Sequence, residues 1–356
     1  MKIITIAALL LLSMNTYPCT SFVLRTHDNH YLSKTMDYNT GRGFVFINQR
    51  NDIKVGFSIP PEKPTQWVSR YGSITFNVYG KDLPNSGMNE KGLVVESLWL
   101  DETIYPVPDS RDALPELAWI QYMLDNCATI DEVIEANKQI RIASTSFAKI
   151  HFMLLDAQGN SAVLEFIEGE LMVHRDENLP YEVLENQTYP QSLSFMQSHT
   201  QGNKSYLNPI DDDKRVRFEM MAQMLEDRKE ETHATDYCFQ MLQKVTWTYE
   251  NGDAPTQWAV VYDVNQRMLK FKTKDSGEIK TISFNDFNFD CSNELLITPL
   301  QSELSELSPS VFHSYTIDEA RIHLRSVYEE VPFTRGRIPD QLLEGNLNAT
   351  QKRECN

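Results

Sequence analysis

The apolar runs of this chain come in blocks of strand type and do not alternate one by one with helices, and this order constrains the fold more than any other feature. TSFVLRT and YLSKTMD flank the turn HDNH as a hairpin, and FVFIN, SITFNVY and GLVVESLWL follow as further strands. A helix over Leu114 to Cys127 comes next, then a second opened by TIDE at 129 to 132, where Thr129 and Glu132 can satisfy each other's backbone amides. HFMLLDA, SAVLEFIEG and QWAVVYDV are again strand-like, with helical runs around 213 to 227 and 235 to 245. A second TIDE at 316 to 319 opens a helix with Ala320, Leu324, Val327 and Tyr328 on one face. Strands in blocks predict an α+β fold of antiparallel sheets with helices packed outside.

The first eighteen residues predict a different fate from the rest. Lys2 supplies a positive charge, IITIAALLLLSM forms an apolar core, and a short break leads to Cys19, the order of a secretory signal peptide. The core is shorter than the ~20 residues that span a bilayer. Residues 19 to 356 are thus expected to be one exported domain, periplasmic or secreted, with no stable membrane span. A lipid anchor would also place a cysteine first, but Thr16, Tyr17 and Pro18 are not the small or aliphatic residues that precede one. Pro18 suits a plain signal-peptidase cut no better, so removal of the residues before Cys19 calls for trimming.

Charge and cysteine count narrow the chemistry. With 33 basic and 50 acidic residues the net charge is −17, a field that repels phosphate backbones and argues against nucleic acid as partner. Five cysteines in an exported chain leave at least one thiol unpaired. Cys127 shares a helical face with Leu117, Ile120 and Leu124 and is read as a small buried hydrophobe. Pairing among Cys127, Cys238, Cys291 and Cys355 is open at this point, and no spacing suggests a metal site. Cys19 is the thiol that needs a role. As a first residue it would carry a nucleophile and, in its α-amino group of pKa near 7.7 to 8.0, a base.

The run CTSF, KTMD ending at Asp37, GMNEKGL at 87 to 93, VLENQTY at 183 to 189 and TQWAVVYD at 256 to 263 resembles the choloylglycine hydrolase family, with GMNEKGLVVESLWL closest to the linear amide C–N hydrolase branch. The resemblance implies the four-layer αββα sandwich of N-terminal nucleophile hydrolases and hydrolysis of a small-molecule acyl amide without metal or organic cofactor. It implies Cys19 as nucleophile, Asp37 as the acid on its amino group, and Asn186 with the Trp99 backbone amide as oxyanion donors. Trp99 also stands at the family's substrate-selecting position. The cation that supports the thiolate falls in DDKRVRFEMM. With Phe218, Met221, Ala222 and Leu225 as the buried face, Arg217 is expected to point away, and Arg215 is favoured over Lys214. Lys34 replaces the arginine of the best-known members and keeps the charge without the bidentate fork. A homo-oligomer stays open. The alternative reading is an exported or lipid-anchored binding protein that uses the same fold without turnover.

Overall fold

The computed structural model describes residues 19–56, 62–199, 214–229, 233–246, 255–351 and 355; the leader and the intervening stretches lie outside it. Two large antiparallel sheets dominate. The six-stranded sheet runs in the order Val183–Glu185, Thr20–Arg25, His30–Asp37, Thr256–Asp263, Met268–Thr273, Lys280–Ser283. The nine-stranded sheet carries Val94–Trp99 near its middle, between Ser86–Asn89 and Ile150–Leu155.

The expected hairpin is present, with Thr20 opposite Thr35 and Arg25 opposite His30. Its strands are buried almost throughout, because both faces are covered. Side chains alternate across a strand. Leu32, Lys34 and Met36 therefore face the nine-stranded sheet, while Ser33, Thr35 and Asp37 face helices Lys214–Glu226 and Ala234–Val245. Helix Glu116–Asn126 covers the outer face of the nine-stranded sheet. One apolar core fills the space between sheets and under the first pair of helices, and a second, centred on Trp119, Phe152 and Phe166, lies under Glu116–Asn126. Helix, sheet, sheet and helix make the expected αββα sandwich.

Both TIDE segments open helices, at Ile130–Ala136 and Ile317–Glu330, with Thr129 and Thr316 accepting from the amides of Glu132 and Glu319. The reciprocal bond at the first helix is displaced by one residue, since Glu132 accepts from the amide of Ala128. Cys127 is buried as expected, and Cys291 is bonded to Cys355 with Cα atoms 5.7 Å apart. That bridge ties the chain's end to the strand-edge region around Asp52, which pairs with Cys355. Among the described residues no helix is long and apolar enough to cross a membrane.

Candidate active site

Cys19 stands one residue before the strand Thr20–Arg25. Because Thr20 pairs with Thr35, Cys19 falls opposite Met36 at the end of the hairpin and on its inter-sheet side. It is 5% exposed, and its thiol donates to the Asp37 carbonyl with S···O 3.7 Å. Burial disfavours the thiolate and pushes the Cys19 thiol up to about 12, with the Asp37 charge acting the same way and the Lys34 charge opposing both.

Asp37 lies on the opposite, helix-facing side of its strand and is fully engaged. Arg217 donates from Nη1 to Oδ2 at 3.2 Å, and the Thr256 hydroxyl donates to Oδ1. A register shift between Thr256 and Trp258 sets Thr256 opposite Asp37, and the bulged Gln257 donates to the Tyr38 carbonyl at 2.7 Å. A bulge beside a functional group re-aims a side chain in this way. Burial raises the Asp37 pKa, with Arg217 and Thr256 holding against it.

This corrects the expectation that Arg217 points away from the buried face. Arg217 is buried, at 5% exposure, and holds Asp37, whereas Lys214 and Arg215 occupy the helix's first turn with side chains outside the described set. Arg217 precedes buried Met221 by four residues and so shares its face. That spacing was the available signal, and its charge masked it.

Lys34 is paired between the two sheets. It is 1% exposed, and its Nζ lies 3.0 Å from Glu96 Oε2 on the other sheet. The ion pair crosses the inter-sheet layer below the thiol. Burial pushes the Glu96 carboxyl up, against the Lys34 charge.

Asn186 and Trp99, far apart in sequence, meet directly: the Asn186 side-chain amide donates to the Trp99 carbonyl at 2.7 Å. Leu100 donates to the Lys149 carbonyl at 2.9 Å, which makes Trp99 and Ile150 a non-hydrogen-bonded pair. The Trp99 amide therefore points toward the other neighbour, whose pairing stops at Ser86 opposite Glu96. The Trp99 indole donates to Asp101 at 2.6 Å and its ring lies 6.2 Å from Phe333.

Cys19, Asp37 and Trp99 line a cavity of about 560 Å³. Tyr38 and Tyr79, hydrogen-bonded hydroxyl to hydroxyl, form part of its wall, and burial raises both phenols. Glu116 is a buried wall residue whose carboxylate accepts from the Ala148 amide at 2.9 Å. Tyr328, Phe333 and Arg337 complete the wall from the C-terminal segment. None of these last residues carries a motif, and only the fold brings them here.

The family model described as linear amide C–N hydrolases, choloylglycine hydrolase family, matches residues 19–297, beginning at Cys19. The penicillin V acylase of Pectobacterium atrosepticum is 31% identical over 213 residues, which are 54% of this chain and 55% of that protein, so the chain spans about half the length of this curated relative. The structure of penicillin V acylase from Agrobacterium tumefaciens superposes with TM-score 0.72 at 24% identity, covering 84% of this chain and 98% of that one. A variant of the conjugated bile acid hydrolase from Clostridium perfringens superposes with TM-score 0.65 at 20% identity, covering 82% and 98%. These likenesses establish the N-terminal nucleophile hydrolase fold. With the family model covering most of the sequence from the cavity cysteine onward, the chain belongs to the choloylglycine hydrolase family of linear amide C–N hydrolases.

Proposed function

We propose that the protein is an exported amidase whose mature chain begins at Cys19 and which cleaves linear acyl amides. The observation that carries this reading is the position of Cys19: it is the first residue of the family match, it lies on the cavity, and Asp37 stands beside it with its own cation. In the uncleaved chain the thiol is held near 12 by burial. A free ammonium on the same residue would favour the thiolate and supply the proton that the reaction needs.

In the proposed cycle the Cys19 sulfur attacks the amide carbon and the carbonyl oxygen becomes an oxyanion, held by the Trp99 amide and Asn186. The α-ammonium gives its proton to the leaving nitrogen as the C–N bond breaks. Water then attacks the thioester, the amine accepts its proton, and the acyl group departs as a carboxylic acid while the thiol is restored. Asp37 fixes the amino group, and the Arg217 charge favours the ionised form of Asp37 against the burial that raises its pKa. The apolar wall with Trp99 and Phe333 favours flat aromatic or linear aliphatic acyl groups over a steroid. The Cys291–Cys355 bridge suits an oxidising compartment and supports export.

The test is intact-mass measurement of the secreted chain together with amine release from a panel of acyl amides by wild type and Cys19→Ala. A mass beginning at unmodified Cys19 with turnover abolished in the variant is expected. Retained turnover in pure Cys19→Ala removes the mechanism, and a mass increased by diacylglycerol and an acyl chain supports the anchored binding protein instead.

A further inference from the structure

The nine-stranded sheet buries a carboxylate that the proposed cycle does not use. Glu165 lies in strand Ser161–Ile167 between Leu164 and Phe166 and is 1% exposed. Phe152 pairs with Leu164, which sets His151 opposite Glu165, and on the other side Val163 pairs with His174 of strand Glu170–Arg175. Three donors reach the carboxylate. His151 Nδ1 at 3.0 Å and the Tyr189 amide at 2.9 Å meet Oε1, and His174 Nε2 lies 3.2 Å from Oε2. A buried ion is tolerated where such bonds offset its desolvation. The two imidazoles come from neighbouring strands of the same sheet. The Tyr189 amide does not: it opens helix Tyr189–His199, which follows the edge strand Val183–Glu185 of the other sheet.

Asn186 lies between that strand and that helix. Glu185 pairs with Thr20, the neighbour of Cys19, so one end of the Asn186 loop is fixed to the strand of the nucleophile. The other end is fixed to Glu165 through Tyr189. Within the loop the Gln187 amide donates to the Glu185 carbonyl at 2.8 Å, and Gln187 Nε2 donates to the Ser192 hydroxyl at 3.0 Å. The Tyr189 ring is buried beside His174, with centroids 5.1 Å apart, and its hydroxyl donates to the Tyr181 carbonyl at 2.8 Å. Glu165 and Trp99 stand on one sheet with only strand Ile150–Leu155 between their strands. The contact from Tyr189 to Glu165 therefore sets the Asn186 loop against the sheet that carries Trp99. Of the two N–H donors of the Asn186 side chain, one is used on the Trp99 carbonyl at 2.7 Å, and the aim of the other follows from where the loop is held.

We infer that Glu165 is a positioning residue of the oxyanion site, which through the Tyr189 amide holds the Asn186 loop on the Trp99 sheet and so sets the spacing of the two oxyanion donors. The inference rests on the amidase reading, in which Asn186 and the Trp99 amide stabilise the tetrahedral intermediate. Glu165 touches neither substrate nor thiol. An oxyanion donor acts on charge that develops only in the transition state, so displacing it lowers kcat and leaves KM nearly as it was.

The experiment measures kcat and KM on phenoxyacetyl p-nitroanilide for the processed wild type, Glu165→Ala, Asn186→Ala and the double variant. Glu165→Ala is expected to lower kcat about thirtyfold, less than the roughly hundredfold or greater loss for a missing oxyanion donor, with KM little changed. In the Asn186→Ala background the same substitution costs less than about twofold, because the group it positions is gone. Glu165→Gln keeps an oxygen for the Tyr189 amide and recovers most of kcat. Equal factors in the two backgrounds, the result of a general loss of folded protein, overturn the inference. Should Glu165→Ala not fold, His174→Phe, which removes only the bond to Oε2, carries the same cycle with a smaller loss that again vanishes in Asn186→Ala. A crystal structure of the folded variant separates the two readings, with the Asn186 amide expected to leave the Trp99 carbonyl. If wild type releases no amine the amidase reading fails for this acyl group, whereas an Asn186 unmoved in the variant overturns the role of Glu165.

Discussion

Arg217 reaches across 180 positions of sequence to hold the carboxylate of Asp37 at 3.2 Å, with both groups buried between helix and sheet. The pair closes the helix-facing side of the hairpin whose other side carries Lys34 and the thiol. Two cations thus bracket the strand end on opposite faces, each with its own carboxylate.

Removing one partner of a buried pair leaves the other charge stranded, at ~3 to 5 kcal/mol. Arg217→Met is expected to lower thermal stability by that order and amide turnover at least about tenfold, as a nearby buried charge would. Arg217→Met with Asp37→Asn should recover much of the stability and none of the activity. Denaturant melts and a release assay on wild type and the two variants check this, and recovered turnover in the double variant would count against Asp37 as the partner of the amino group.

A second pair of layers is pinned by Glu165, which accepts from His151 Nδ1 at 3.0 Å, His174 Nε2 at 3.2 Å and the Tyr189 amide at 2.9 Å. Burial alone would raise this carboxyl, but the hydrogen bonds from His151 and His174 outweigh it and hold it down at about 2, against 4.5 unperturbed. A depressed acid stabilises the fold above its unfolded pKa and loses that contribution as pH falls toward its folded one. The stabilisation, ~3 kcal/mol, is therefore complete above about pH 5 and lost between about pH 4.5 and 2. Glu165→Gln should melt earlier at pH 7 and show a flatter acid limb. Identical acid limbs in the two proteins would show that other carboxylates set the acid transition.

Trp99 and Phe333 face each other at 6.2 Å on the cavity. Truncating Phe333 to alanine opens the wall without touching the oxyanion side, and it should shift acyl preference toward bulkier groups. Trp99→Ala should do the same, because its backbone amide survives the substitution. Relative kcat/KM over a series of acyl chains on one amine decides this, and an unchanged order in both variants would place the acyl group elsewhere.

The sequence exposed those parts of the site that lie on strands. Cys19 and Asp37 begin and end one hairpin that the strand pattern shows, so they meet at its open end, while their roles and the four-layer sandwich were implied by the resemblance, with which the antiparallel blocks agree. Arg217 was misplaced because a charge on a helix is read as solvated, although its spacing to Met221 put it on the buried face. Lys34 was legible only as a charge kept at the family's arginine position, and its partner Glu96, on the other sheet, has no local signal. Thr256 depends on a bulge, and Phe333 and Arg337 on a turn after the last matched strand. None of these has a local signature, since each is set by how distant layers meet.

The opening cysteine supplies the sharpest prediction. While Pro18 precedes it, the nitrogen of Cys19 is an amide without a basic lone pair, and the buried thiol stays near 12 with no ammonium beside it. A protein expressed from Thr16 with trimming blocked should fold and melt like the processed enzyme but release no amine. Removal of residues 16 to 18 should restore turnover, with a rate that rises through the range of an α-amino group, about pH 7.7 to 8.0 shifted by Asp37. N-terminal sequencing of the assayed sample is essential, because a trace of trimmed chain would mimic activity. Full turnover in protein shown to retain Pro18 would rule out the N-terminal amine as base and leave Cys19 an ordinary thiol whose proton must go to another group on the cavity wall.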